Sequence, residues 1–176
     1  ICLDELSHNT CNSKNGRALC CGKQWHMKCH NNVQKSKMSH ELKNRCHHCR
    51  KPLPTIEREA LAMLREWLDK DKAWAQSMMA EFYRDGQCGI KQSFVMAAML
   101  FEKAVAQGDP DAMFNLALSY EDGRGVVQSF EKAAEFYAMA VEKGYVNAVV
   151  NLALLYREGR GVVQSFKKAV ELFTMA

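Results

Sequence analysis

The strongest constraint in this chain is a 36-residue internal repeat in its second half. Ala112 to Tyr120 aligns with Ala148 to Tyr156, and Gly123 to Phe130 matches Gly159 to Phe166 at every position. A weaker first copy runs from Ala75 through Tyr83, Gly86, Gly89 and Gln92-Ser93-Phe94 to Gly108, with one extra loop residue between Gly86 and Gly89. A period in the thirties with helical patterning predicts a solenoid of helix pairs, because one pair cannot bury its apolar face alone.

Each unit reads the same way. Helix A, about residues 111–121, carries Ala112, Leu116 and Ala117, small or apolar residues suited to close packing. The loop Asp122-Gly123-Arg124-Gly125 reverses the chain on glycines that can take positive φ. Ser129 is placed to cap helix B, about residues 130–143, and Gly144 stops that helix at a C′ position. Helix B carries Ala133, Ala134, Phe136, Tyr137 and Ala140, and Tyr120 and Tyr156 are expected to wedge between helices.

The series Ala…Leu…Tyr…Gly-x-Gly-Val…Lys-Ala…Ala…Gly resembles the Sel-one-like repeat, a relative of the tetratricopeptide repeat. That resemblance covers about 100 residues. It implies a scaffold that binds other proteins, without catalytic residues, on a concave face lined by the A helices. Asn115 and Asn151 fall at equivalent helix A positions. They either hydrogen-bond a ligand's backbone or carboxylate, or bond within the array. Met78 at the corresponding site of the first copy weakens a shared-ligand role.

The first half uses different chemistry. Seven of the eight cysteines and all six histidines lie in the first 49 residues. In a chain with no sign of secretion, ligands this dense point to a zinc module rather than a disulfide framework. Cys46 and Cys49 form a C-x2-C knuckle, and His26 and Cys29 repeat that spacing; Cys2 stands near the start, with Cys20 and Cys21 between. Structural zinc needs four ligands, so this set predicts two ions with one ligand missing. A cysteine three residues before Cys2 would complete it. The chain opens at Ile1 and stops inside a repeat, so it reads as a fragment at both ends.

The stretches Ile1 to Glu5, Cys21-Gly22-Lys23-Gln24-Trp25-His26-Met27-Lys28-Cys29 and Cys46-His47-His48-Cys49-Arg50 resemble a RING finger. That resemblance implies interleaved zinc sites. Cys2, His26, Cys29 and the missing cysteine would hold one ion; the pair at Cys20 and Cys21, together with Cys46 and Cys49, would hold the other. Lys23 stands where the family usually has histidine, and His47 where it often has proline. Either Cys20 and Cys21 serve together, or one of them serves with His30, His40, His47 or His48. Cys11 reads as a thiol in a polar loop. The resemblance further implies recruitment of a ubiquitin-conjugating enzyme through Ile1, Trp25 and Pro52, with Arg50 contacting both that enzyme and its ubiquitin. A guanidinium suits such a role because its fixed fork presents several donors.

The expected fold is therefore mainly α: a small zinc-stabilised, RING-like α+β module (residues 1–54), a linker and capping helix (55–72), and an α-solenoid of helix-turn-helix repeats (73–176). In the connection, Pro52 and Pro54 favour an extended link and Thr55 can cap the next helix. Ile56, Ala60, Leu64, Trp67 and Leu68 give that helix one apolar stripe, expected to cover the first repeat.

Two functions follow. One is a zinc-dependent ubiquitin ligase whose ring engages the conjugating enzyme and whose repeats choose the substrate. The other is a non-catalytic adaptor with a structural zinc module. Nucleic-acid binding is a third reading. Residues 1–54 carry ten Lys/Arg against three Asp/Glu, a net +7, while the remainder carries 14 against 17, a net −3. Zinc thiolates would cancel part of that charge, and the lysines are scattered, which argues against a nucleic-acid footprint. No Ser/His/Asp set, phosphate loop or open three-ligand site points to hydrolytic chemistry. No run of about 18 apolar residues predicts a membrane span, and an intracellular, cytoplasmic or nuclear, setting is the expectation that goes with zinc-bound thiolates.

Overall fold

The computed structural model describes residues 57–175, which form seven helices. These are α1 (Glu57–Leu68), α2 (Ala73–Asp85), α3 (Phe94–Ala106), α4 (Pro110–Asp122), α5 (Phe130–Glu142), α6 (Val146–Glu158) and α7 (Phe166–Met175). The extensive packing runs between helices adjacent in sequence, so α2–α3, α4–α5 and α6–α7 are the three hairpins of the array. The expected bounds of helices A and B in the second copy agree with α4 and α5 to within a residue or so.

The repeated sequence explains the repeated turn. Each helix A ends on a left-handed glycine, Gly86, Gly123 or Gly159, with φ of 66°, 69° and 69°. The chain then folds back, and the amide of Ser93, Ser129 or Ser165 donates to the carbonyl of Tyr83, Tyr120 or Tyr156. The preceding glutamine side chain does the same: Gln92, Gln128 and Gln164 donate to the carbonyls of Arg84, Glu121 and Arg157 at 2.8, 2.7 and 2.9 Å. Two carbonyls left open by the end of helix A are thereby satisfied. The serine hydroxyl then caps helix B, accepting from Met96, Lys132 or Lys168 N–H at 3.3 Å. Asp109 caps α4 through the Ala112 amide at 3.0 Å, with Pro110 at the first helical position.

Small side chains let neighbouring helices approach. Ala97, Ala104, Ala112, Ala117, Ala133, Ala140, Ala148 and Ala153 are all buried, around Phe101, Leu116, Tyr137 and Leu155. Tyr120 stacks on Phe136, with ring centres 5.7 Å apart, and Lys132 lies 5.0 Å above it. Tyr156 takes Lys168 at the same distance, so both tyrosines sit in the expected helix A–helix B seam.

Helix α1 closes the N-terminal end of the array. Ala60 and Leu64 are fully buried against Ala75, Met78, Met79 and Phe82 of α2, with Trp67 and Leu68 packed alongside. Trp67 meets Trp74 with ring centres 5.7 Å apart. From Ala60 to Leu68 the apolar stripe is core, as its spacing suggested, while Ile56 lies outside the described residues. Cys88 is buried beside the same cluster at φ 57°.

Candidate functional site: the junctions between repeats

Two junctions join the three hairpins, and both are built by the second glycine of the helix A–helix B loop. A Cβ on Gly125 would lie 2.1 Å from the carbonyl oxygen of Phe94; one on Gly161 would lie 2.1 Å from the carbonyl carbon of Phe130. The loop backbone thus rests directly on the first turn of the preceding repeat's helix B. The arginine between the glycines lies over the ring beneath it: Arg124 is 5.7 Å from Phe94, and Arg160 is 5.0 Å from Phe130. Such cation–ring contacts contribute about 0.5–1 kcal/mol at exposed sites.

The junctions differ in their polar residues. At the second, Tyr137 is fully buried and donates to Glu121 Oε2 at 2.7 Å, while Asn151 Nδ2 donates to the Tyr137 oxygen at 3.0 Å. Arg160 approaches the other Glu121 oxygen at 3.5 Å and pairs with Glu158 at 2.7 Å. Burial first, and the neighbouring Glu121 carboxylate second, push the Tyr137 hydroxyl far above the ordinary phenol range. The Arg157 hydrogen bond, aided by Arg160, holds Glu158 below its usual value.

At the first junction, Arg84 takes the place of Glu121. Its guanidinium makes two hydrogen bonds to Asp85, at 2.7 and 2.9 Å, and a third to Asn115 Oδ1 at 2.6 Å. The bond to Asp85 raises the Arg84 pKa against the opposing cost of burial. Asn115 completes its bonding by donating to the Asp111 carbonyl at 2.9 Å. Here the packing leaves a cleft of about 180 Å³, with Arg84 and Arg124 on its walls and Phe94, Leu118 and Ser119 among the residues lining it.

Asn115 and Asn151 therefore both bond within the array. The equivalent positions do opposite jobs: Asn115 accepts from an arginine, and Asn151 donates to a tyrosine. Sequence reasoning missed Arg84 and Tyr137 as their partners, and Glu121 as the acceptor behind Tyr137, because these positions vary from copy to copy and carry no periodic signal. A third polar group sits where α6 begins. Tyr145 lies tilted against Phe114, with ring centres 5.1 Å apart, and burial followed by the charge of Asp111 pushes its hydroxyl up to about 12.

The sequence-derived zinc ligands Cys2, Cys20, Cys21, His26, Cys29, Cys46 and Cys49, and the partner contacts Ile1, Trp25, Arg50 and Pro52, lie outside the described residues. Among the described residues no group of three or more Cys, His, Asp or Glu side chains could hold a metal ion, and no helix is long and apolar enough to cross a membrane.

Comparison with known proteins agrees with this architecture. No curated protein sequence matches the chain. Among solved structures, a Sel1 repeat protein from Oxalobacter formigenes is 28% identical, with a TM-score of 0.62 over 66% of this chain and 47% of that one. The c5321 protein, a protective antigen of uropathogenic Escherichia coli strains with an SLR fold, is 24% identical, with a TM-score of 0.64 over 69% of this chain and 26% of that one. Cysteine-rich protein B of Helicobacter pylori shares the fold at 19% identity and a TM-score of 0.51, over 66% and 83%. The chain spans less than half the length of the first two. The Sel1 repeat profile matches residues 75–109, 110–145 and 146–176, more than half of the sequence, and the three matched segments coincide with the three hairpins. The chain belongs to the Sel1 repeat family.

Proposed function

We propose that this chain is a protein-binding scaffold whose helical array presents a fixed surface to a partner. The observation that carries this reading is the locked stacking of three Sel1 repeats. The glycine loops and the polar bonds of each junction hold neighbouring hairpins in one arrangement, so a partner meets a preorganised surface. The half-buried Leu118 beside the first cleft is a suitable probe position. A photo-crosslinking residue placed there in the full chain, exposed to an extract of the source cells, should capture protein adducts that excess unlabelled chain competes away. Absence of competed adducts would refute the reading.

The ligand order of the first 49 residues supports a finer version. In it, a RING-type module holds two zinc ions through Cys2, Cys20, Cys21, His26, Cys29, Cys46 and Cys49. Ile1, Trp25, Arg50 and Pro52 engage a ubiquitin-conjugating enzyme, and the repeats hold the protein to be modified. Native mass spectrometry of a chain carrying the cysteine expected before Cys2 should count two zinc ions. Reconstituted ubiquitination should fall with Cys46→Ser or Arg50→Ala. No bound zinc, or those cysteines recovered as disulfides, would leave the plain scaffold.

A further inference from the structure

We propose that the cleft at the first junction takes one aromatic side chain of the partner protein, seated against Phe94 and Leu118 beside two ion-paired arginines. This rests on the protein-binding reading and names the class of side chain that anchors the partner.

The two junctions are built on one plan and differ at few positions. Phe94, Ala97, Asn115, Leu118 and Arg124 of the first correspond to Phe130, Ala133, Asn151, Leu154 and Arg160 of the second. The change that opens space is Ser119, which stands where the second junction carries Leu155. Leu155 is fully buried, so its branched side chain is packing there. Ser119 is also buried, but it is smaller, and its hydroxyl turns back to donate to the Asn115 carbonyl at 2.9 Å. Helix α4 thus lacks the bulk that α6 presents, and part of the repeat–repeat interface stays open as the cleft of about 180 Å³ beside Phe94 and Leu118. An engineered cavity of about 150 Å³ with apolar walls takes up benzene, so this volume suits a single ring.

The charges around the cleft are already matched. Arg84 makes two hydrogen bonds to Asp85, and Arg124 pairs with Asp122 at 3.4 Å. An entering carboxylate or ammonium would bring a charge with no counter-charge, and its burial would be unfavourable. The site therefore selects an uncharged side chain. Among these, an aromatic one gains most. A guanidinium makes its hydrogen bonds in its own plane, so its face can lie on a ring while its edge is ion-paired. This array already does so: Arg160 lies 5.0 Å from the Phe130 ring while it pairs with Glu158 at 2.7 Å. Arg124 lies 5.7 Å from Phe94 in the same way. A ring in the cleft also meets the Phe94 ring, and such aromatic pairs add to the gain from buried area. An aliphatic side chain would fill the space but make neither contact.

The test selects random peptides from a display library on the immobilised full chain, then measures the best binder by fluorescence anisotropy. One peptide position should be dominated by Phe, Tyr or Trp. Changing that residue to alanine should weaken binding about tenfold or more. Changing it to leucine should weaken binding about two- to fivefold, through loss of the ring contacts. Ser119→Leu restores the bulk of the second junction, so it should abolish binding while helical circular dichroism and thermal midpoint are retained. If leucine lowers the midpoint, Ser119→Val makes the same test with a smaller fill. A second readout needs no peptide: N-acetylphenylalaninamide should shift the methyl resonances of Ala97 and Leu118 more than N-acetylleucinamide does. Four results would overturn the proposal: no aromatic enrichment, an aromatic-to-leucine exchange without loss, equal shifts from the two amides, or unchanged binding by a folded Ser119→Leu or Ser119→Val chain. If the Leu118 crosslinker captures a protein but aromatic peptides are not selected, the scaffold reading stands and this one falls.

Discussion

Gly125 offers the sharpest test of how the repeats are joined. Gly125 and Gly144 share the same backbone angle, φ 79°, but not the same surroundings. A Cβ on Gly144 would meet nothing within 4 Å, whereas one on Gly125 would lie 2.1, 2.3 and 2.8 Å from the Phe94 oxygen, the Phe94 carbon and the Val95 nitrogen. Replacing either glycine by alanine incurs the left-handed penalty, roughly 1–2 kcal/mol. Only Gly125→Ala adds a collision with main-chain atoms, which cannot rotate away as a side chain does. Forcing in extra volume of this kind typically costs a further 1–3 kcal/mol or so. The expected losses are therefore about 1–2 kcal/mol for Gly144→Ala and about 2–5 kcal/mol for Gly125→Ala. The assay is equilibrium urea denaturation followed by circular dichroism. In an array stabilised by neighbour contacts, weakening one junction should also broaden or split the transition, lowering the apparent m-value for Gly125→Ala alone. Equal losses for the two variants, with equal m-values, would refute the idea that loop backbone resting on helix backbone couples the repeats.

Three further outcomes are expected. Tyr137→Phe should cost about 1–3 kcal/mol, because it leaves Glu121 and Asn151 without their shared partner, and combining it with Glu121→Gln should recover part of that loss in a double-mutant cycle. The hydroxyls of Tyr137 and Tyr145 are held above their unfolded pKa of about 10, so the stability they confer is complete below that pH and is lost as pH rises through about 12, the folded value of Tyr145; tyrosinate absorbance should rise together with the loss of helical signal, and full titration of every tyrosine in a still-folded chain would contradict this. Ser129→Ala should cost about 1 kcal/mol in thermal unfolding, since it removes the cap on the Lys132 amide.

The repeat architecture was legible in the sequence because the features that make it are local and periodic. Gly123, Ser129 and Gly144 act at single positions, and their chemistry at a turn or cap is the same wherever they occur. The stripe on α1 was readable as core for the same reason. The junctions were not legible. The pairs Arg84–Asn115 and Tyr137–Glu121 lie 31 and 16 residues apart, and nothing in one copy announces what the next will set against it. Gln92, Gln128 and Gln164 repeat plainly, yet their role as donors to the end of helix A emerges only from the closed loop. For Asn115 and Asn151 the sequence left ligand contact and bonding within the array both open, because position alone says they match, whereas bonding depends on neighbours that differ. The cleft is a product of those differences, so no motif could mark it.

Because every hairpin secures its own turn through its glutamine and serine, the natural unit of genetic change here is one whole period. Excising residues 110–145 would seat the Gly159–Gly161 loop on Phe94 and bring Arg160 into the neighbourhood of Arg84. Both halves would keep their caps, but the new seam would set two cations together with Asn151 between them. Duplicating or deleting periods would thus preserve folding while redistributing charge along the seams, a simple way for such a lineage to acquire new binding preferences.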